Sequence, residues 1–253
     1  MPSRNGLTLS DFRRMGIPLT WPEAIAVVLE AAEQALRQGV REIAAIEFGV
    51  AGGNGLRILE REAAAIERET GIRITVYGFD NGAAGLPDSI GDYRDHPDEW
   101  RPGDYPMDEA ALRNQLTSRT HLTPGNVKDT VPAFVAAGEN PAIGFIAIDL
   151  DLYSSTAAAL RVLSLPGARL LNRVVLYFDD IMGAYSHRFA GERLAIDEFN
   201  SQNELIKIDS WYGLGVGRPF PERGFLQQMY IAHNLDSINK TVLNRLPGQL
   251  PLR

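Results

Sequence analysis

Two apolar runs in this chain end abruptly in acid. Gly144-Phe-Ile-Ala-Ile-Asp149-Leu-Asp151 and Val174-Val-Leu-Tyr-Phe-Asp179-Asp180 carry no charge until their last residues. Apolar side chains at consecutive positions mark a strand buried on both faces. Residues 42–48 and 74–79 read as two further strands. Helical patterns separate them. The first opens on a capping box at Thr20-Trp-Pro-Glu23, runs to about Arg37 and meets a stop at Gly39. Others cover residues 54–70, ended by Gly71, and residues 108–116, 155–163 and 188–201. A short strand falls at 120–123. The last two strands, 204–211 and 225–233, have no helical pattern between them and are expected to pair antiparallel at the sheet edge.

Strand–helix alternation closing on a strand pair predicts an α/β fold: a mostly parallel sheet with helices on both faces, in a single domain. No repeat or low-complexity linker divides the chain. In open α/β sheets, ligands bind outside the carboxyl ends of the strands. Four aspartates converging there repel one another unless a cation, a proton or a polar substrate compensates. A divalent metal is the simplest compensation. Residues 81–108, rich in Gly, Pro and Asp, form a segment long enough to be a lid or binding loop. The tail 235–253 is expected to pack on the domain or to reach a neighbouring subunit in a homo-oligomer.

Composition narrows the function. The chain has 253 residues and a formal net charge of −7, which argues against non-specific nucleic-acid binding. There is no cysteine, so thiol nucleophiles and Cys-zinc sites are excluded. The first residues have no apolar signal core, and no apolar run is long enough to span a bilayer. A soluble, cytoplasmic protein is the expectation.

The turn Glu47-Phe-Gly49-Val50-Ala-Gly52-Gly53-Asn-Gly55 follows a strand and precedes a helix. Its glycines allow a tight turn and close approach of backbone to a ligand. Its spacing departs from the dinucleotide fingerprint, and Glu47 suits a cationic group such as the ammonium of S-adenosylmethionine. Asp80 closes the second strand, where an acid often takes ribose hydroxyls; the alternative is a turn cap. Together these describe a nucleoside site without deciding between NAD and S-adenosylmethionine.

Read in order, the glycine turn, Tyr77-Gly-Phe-Asp80 leading to Gly85-Leu-Pro87, Gly125-Asn-Val-Lys-Asp-Thr130-Val-Pro132, Asp149-Leu-Asp-Leu-Tyr-Ser-Ser-Thr156 and Phe178-Asp-Asp180 resemble the macrocin O-methyltransferase family. Its members methylate sugars of macrolide and aminocoumarin antibiotics. The resemblance implies a Rossmann-like class I methyltransferase fold with seven strands, the last antiparallel. It implies methyl transfer from S-adenosylmethionine to a hydroxyl, typically with Mg2+, on a small glycosylated acceptor. It implies Asp149, Asp179 and Asp180 as metal ligands and Asp151 as general base. Glu47, Gly49, Val50 and Gly53 would lie along the methionine moiety, with Asp149 beside it, Asp80 at the ribose, and Asn126 and Val127 at the adenine.

Each role has a structural competitor. Asp149 and Asp151 alternate along a strand end, so both reach one site only if the chain turns after Leu150. Asp151 can instead cap the next helix, and Asp179 or Asp180 the following loop. His187 is the best-placed histidine for a base, ahead of His96; His121 and His233 sit in strands as structural residues. Tyr153 lines the acceptor pocket or fills space beneath the loop. Two competing functions are an NAD-dependent oxidoreductase, for which the Tyr-x-x-x-Lys pair is missing, and a non-catalytic protein that keeps the fold.

Overall fold

The computed structural model describes residues 28–183, 186–214 and 224–241. The capping box at residues 20–23 and the tail beyond residue 241 lie outside them. In chain order the elements are α1 (Val28–Gln38), β1 (Glu42–Phe48), α2 (Asn54–Thr70), β2 (Arg73–Asp80), α3 (Glu109–Arg113), β3 (Thr120–Pro124) and α4 (Val127–Ala136). There follow β4 (Ala142–Ile148), α5 (Tyr153–Leu160), β5 (Leu170–Phe178), α6 (Gly191–Gln202), β6 (Ile206–Ser210), β7 (Met229–Asn234) and α7 (Leu235–Lys240).

The seven strands form one sheet in the order β3-β2-β1-β4-β5-β7-β6. β1 to β5 are parallel, and β7 runs antiparallel to both β5 and β6. The chain winds outward from β1 to β3, then restarts beside β1 with β4. The strand order therefore reverses between β1 and β4, the position where such sheets open a ligand crevice.

The sequence explains these elements locally. Glycines in left-handed conformation, Gly53 and Gly71, delimit α2, and Leu56, Leu59, Ala63 and Ile66 recur on its buried face. β1 and β4 are buried at six of their seven positions, as continuous apolar runs require. One core cluster joins Ile43, Ala45, Phe145 and Val175 to α1 and α2. The other joins Phe48, Ile146, Ile148 and Phe178 to α4, α5 and α6. No described helix is long and apolar enough to cross a membrane.

Two differences from the sequence pattern have clear causes. α4 is an added helix: Pro132 lies inside it and cancels one backbone bond, so the segment lacks an ordinary helical signature. Asn126 starts it, its side chain accepting from the Lys128 N–H at 3.0 Å. The tail begins with α7, which is tied to the sheet where Ser237 Oγ donates to Asn172 Oδ1 at 2.6 Å.

Residues 81–108 are held at neck and tip. Leu86 N–H donates to the Asp104 carbonyl at 2.7 Å, and Gly103 N–H to the Leu86 carbonyl at 2.9 Å. Gly85 sits there in left-handed conformation, where a Cβ would overlap the Asp104 carbonyl oxygen. At the tip, Asp95 is fully buried. It accepts from Ile90 N–H at 2.8 Å, from Ser154 N–H at 2.7 Å and from Ser154 Oγ at 2.9 Å. The tip is thereby fastened to the first turn of α5.

Candidate active site

The carboxyl ends of the central strands are joined beyond the regular sheet. Gly49 N–H donates to the Phe79 carbonyl at 2.9 Å, Asp149 N–H to the Phe48 carbonyl at 2.9 Å and Asp179 N–H to the Ile148 carbonyl at 3.0 Å. Gly49 has φ 84°, and a Cβ on it would lie 2.7 Å from the Asp149 carbonyl carbon. Only glycine fits. Asp80 shapes the same turn from β2. Its Oδ2 accepts from Val50 and Ala51 N–H at 2.8 Å each, and its Oδ1 from Gly82 N–H at 2.7 Å. The turn-cap reading of Asp80 is thus realised. Of roughly four acceptor positions on a carboxylate, one remains for a ligand.

The chain does turn after Leu150. Asp151 adopts a left-handed φ of 61°, unusual for a residue with a Cβ. This breaks strand alternation and brings Asp151 back toward Asp149. With Asp180 they form a trio in which one oxygen from each lies within 4.8 Å of the others. Asp151 N–H also donates to Asp180 Oδ2, at 3.1 Å. The trio differs from the metal set the motifs imply: Asp151 takes the place of Asp179. The Asp179 carboxylate instead accepts a short hydrogen bond from the Tyr177 hydroxyl, and its carbonyl accepts from Gln228 Nε2 at 2.7 Å.

Crowding of like charge shows in the proton affinities. Burial, then Asp180, Asp179 and Asp104, push the Asp151 carboxyl up to about 7. Burial and Asp179 push Asp180 up to about 6. Glu47 is buried at the end of β1, and burial with Asp149 and Asp80 holds its carboxyl well above the usual range. Its Oε2 has no hydrogen-bond partner among the described residues. A second buried glutamate, Glu192 in the first turn of α6, is raised in the same way by burial and by all four aspartates. Sequence reasoning missed it, because an acid in a helix first turn is ordinarily a solvated dipole partner.

Beside these acids opens a cleft of about 370 Å³, within the size range of small-molecule sites. Gly49, Asp80 and the aspartates 149, 151, 179 and 180 form one wall, and Trp100 and Tyr105 of the long loop form another. The Tyr105 hydroxyl is held above its usual pKa by burial and then by Asp151, Asp104, Asp180 and Asp149. The two loop aromatics lie 6.3 Å apart, centroid to centroid.

The remaining expected residues fall in different places. Val50 and Gly53 back the glycine turn, with Val50 in the core and Gly53 packed against Leu112. Val127 is buried in the first turn of α4, and Asn126 caps that helix. Neither lines the cleft, although Gly125 N–H donates to the Asp80 carbonyl at 2.7 Å and so holds their turn beside it. His187 is exposed, it is not part of the cleft wall, and its ring lies 5.3 Å from that of His96. Its Nδ1 accepts from the Phe189 N–H. Tyr153 fills space beneath the loop rather than lining the cleft. Its hydroxyl donates to Glu198 Oε2 at 2.6 Å, and Arg94 sits 5.1 Å above its ring.

No family model and no curated protein matches this chain. Among solved structures, it is similar to CalS11, a calicheamicin methyltransferase, at 20% identity over 90% of this chain and 87% of that one, with a TM-score of 0.56. It is also similar to the O-methyltransferase NovP, at 21% identity over 70% of this chain and 71% of that one, with a TM-score of 0.52. At these identities the likeness concerns the fold, and it agrees with the strand order and the antiparallel β7. The chain has the class I methyltransferase fold.

Proposed function

We propose that this protein is an S-adenosylmethionine-dependent O-methyltransferase that uses a divalent cation and acts on a hydroxyl of a sugar or glycosylated natural product. The observation that carries the reading is the Asp149–Asp151–Asp180 trio standing beside a glycine turn whose buried Glu47 has an unpartnered oxygen. The macrocin-type motifs add to it, as do the methyltransferase titles of CalS11 and NovP.

The residues present fit both groups. The trio offers only carboxylate oxygen, which suits Mg2+ or Mn2+ better than zinc. Glu47, with Asp149 and Asp80 nearby, has no positive partner among the described residues, and an ammonium group would supply one. Gly49 leaves backbone open to the cleft.

S-adenosylmethionine supplies an electrophilic methyl group and leaves as a neutral thioether. A hard cation orients the acceptor hydroxyl and lowers its pKa. In this proposal Glu47 fixes the ammonium, and Asp80 takes one ribose hydroxyl on its remaining acceptor position. Asp149, Asp151 and Asp180 hold the cation. Asp151, whose carboxyl is pushed up to about 7, would take the acceptor proton. Trp100 and Tyr105 present apolar faces on which a sugar ring can pack.

Calorimetry with S-adenosylmethionine and its demethylated product is the first test; absence of binding to both removes the proposal. A screen of glycosylated acceptors follows, with chelator controls. Loss of turnover in chelator, restored by Mg2+, is the expected result. Turnover indifferent to chelator removes the cation from the mechanism.

A further inference from the structure

Buried carboxylates in this protein are normally well supplied with donors. Asp95 is fully buried and takes three hydrogen bonds; Asp80, nearly as buried, takes three backbone N–H bonds. Glu47 and Glu62 each leave one oxygen without a hydrogen bond among the described residues, and Glu192 leaves both. Glu192 is 2% exposed, and both of its carboxylate oxygens are shielded from solvent with no hydrogen-bond partner among the described residues. An ionised carboxylate in that condition costs several kcal/mol, by order of magnitude, unless something compensates it.

Its position says what could. Glu192 is the second residue of α6, a helix that packs against the 3-10 turn Asp180–Met182. The charges that raise it are Asp180 first, then Asp149, Asp179 and Asp151. It acts in turn on the Tyr177 hydroxyl, which holds Asp179. The α6 N-terminus favours a negative charge, but too weakly to offset burial beside four aspartates. A proton alone would cancel the charge and still leave a buried O–H and a buried carbonyl oxygen unpaired. A cation satisfies the oxygens and the charge together.

We propose that Glu192 is a further carboxylate of the divalent-cation site, supporting from the protein interior the Asp149–Asp151–Asp180 trio, whose 4.8 Å reach does not include it. The inference rests on the cation reading above and adds to it an interior residue that the acid-ended strands do not contain.

The test is calorimetric titration of Mn2+ into the full chain without methyl donor, with binding of the demethylated cofactor product as an independent readout. Glu192→Gln keeps shape and removes charge. It is expected to weaken Mn2+ binding about 10–100-fold, the range for a residue that supports a metal ligand set, and to leave product binding unchanged. Asp149→Asn serves as the reference variant. If Asp149→Asn loses Mn2+ and Glu192→Gln binds it like the parent protein, the inference is overturned while the cation reading stands. If neither variant changes Mn2+ binding, the cation reading itself falls. Should Glu192→Gln fail to fold, Glu192→Asp carries the test: its shorter arm must weaken Mn2+ binding, and parental affinity overturns the inference.

Discussion

Gly49 and Asp149 meet backbone to backbone across the strand-order reversal, with no room between them for a side-chain carbon. The glycine turn and the first acid of the trio are therefore placed by one contact. Gly49→Ala is expected to cost at least about 3 kcal/mol, since it combines left-handed strain with overlap on a fixed carbonyl. Gly71→Ala isolates the strain: its φ is 74°, nothing lies within 4 Å of a Cβ there, and it should cost only about 1–2 kcal/mol. Urea unfolding of the two variants gives the comparison, and equal costs would show that the Asp149 contact contributes nothing.

Asp151 combines an unusual backbone with a proposed chemical role, and two substitutions separate them. Asparagine tolerates left-handed φ, so Asp151→Asn should fold normally and lower turnover about 10²–10⁴-fold, the range for loss of a general base. Asp151→Ala adds backbone strain at φ 61° and should also lower the melting temperature. An Asp151→Asn enzyme with parental turnover on the acceptor found by screening would move the base elsewhere.

Glu47 ties stability to pH in an uncommon direction. Its folded carboxyl prefers the proton more than the unfolded one does. Its contribution to stability is therefore complete below the unfolded value of 4.5 and is lost as pH rises through the higher folded value. The ligand-free protein should lose thermal stability as pH rises above that unfolded value. Glu47→Gln should flatten this part of the profile and be the more stable form at alkaline pH. The same variant should bind S-adenosylmethionine about 10–100-fold more weakly, as loss of a charge-assisted bond to an ammonium implies. Melting curves across pH, with and without the donor, check both halves; a variant with the parental pH profile would contradict the assignment.

Asp95 is expected to be one of the costliest polar residues to remove. Asp95→Ala leaves three donors unpaired in a fully buried position and should destabilise by about 2–4 kcal/mol. Limited proteolysis should then cut within residues 86–104 before the rest of the chain. Global unfolding without earlier cleavage of that segment would show that the tip does not depend on this residue.

The fold was readable where one signal dominated. β1 and α2 follow from an unbroken apolar run and from helix-ending glycines, and both match the sequence reading end to end. α4 was hidden because Pro132 interrupts its pattern and tertiary packing of Val127, Val131 and Val135 outweighs the lost bond. In the site, Glu47, Asp80, Asp149 and Asp180 fall where strand ends place them. Asp151 did not yield to sequence, because alternation turns it away and a left-handed residue turns it back. Glu192 was beyond reach for another reason: its importance lies in missing partners, which only the packed fold reveals. His187 lies close to Asp180 in sequence but outside the cleft wall.

The bond between Asp95 and Ser154 gives the long loop a mechanical character. Ser154 lies three residues after Asp151, on the helix that the aspartate's turn launches. A loop swinging outward as one piece must release that helix start or drag it along. Admission of a bulky acceptor and alignment of the acids are thus geared together. Part of the protein's selectivity would then reside in which molecules can enter without stripping the gear.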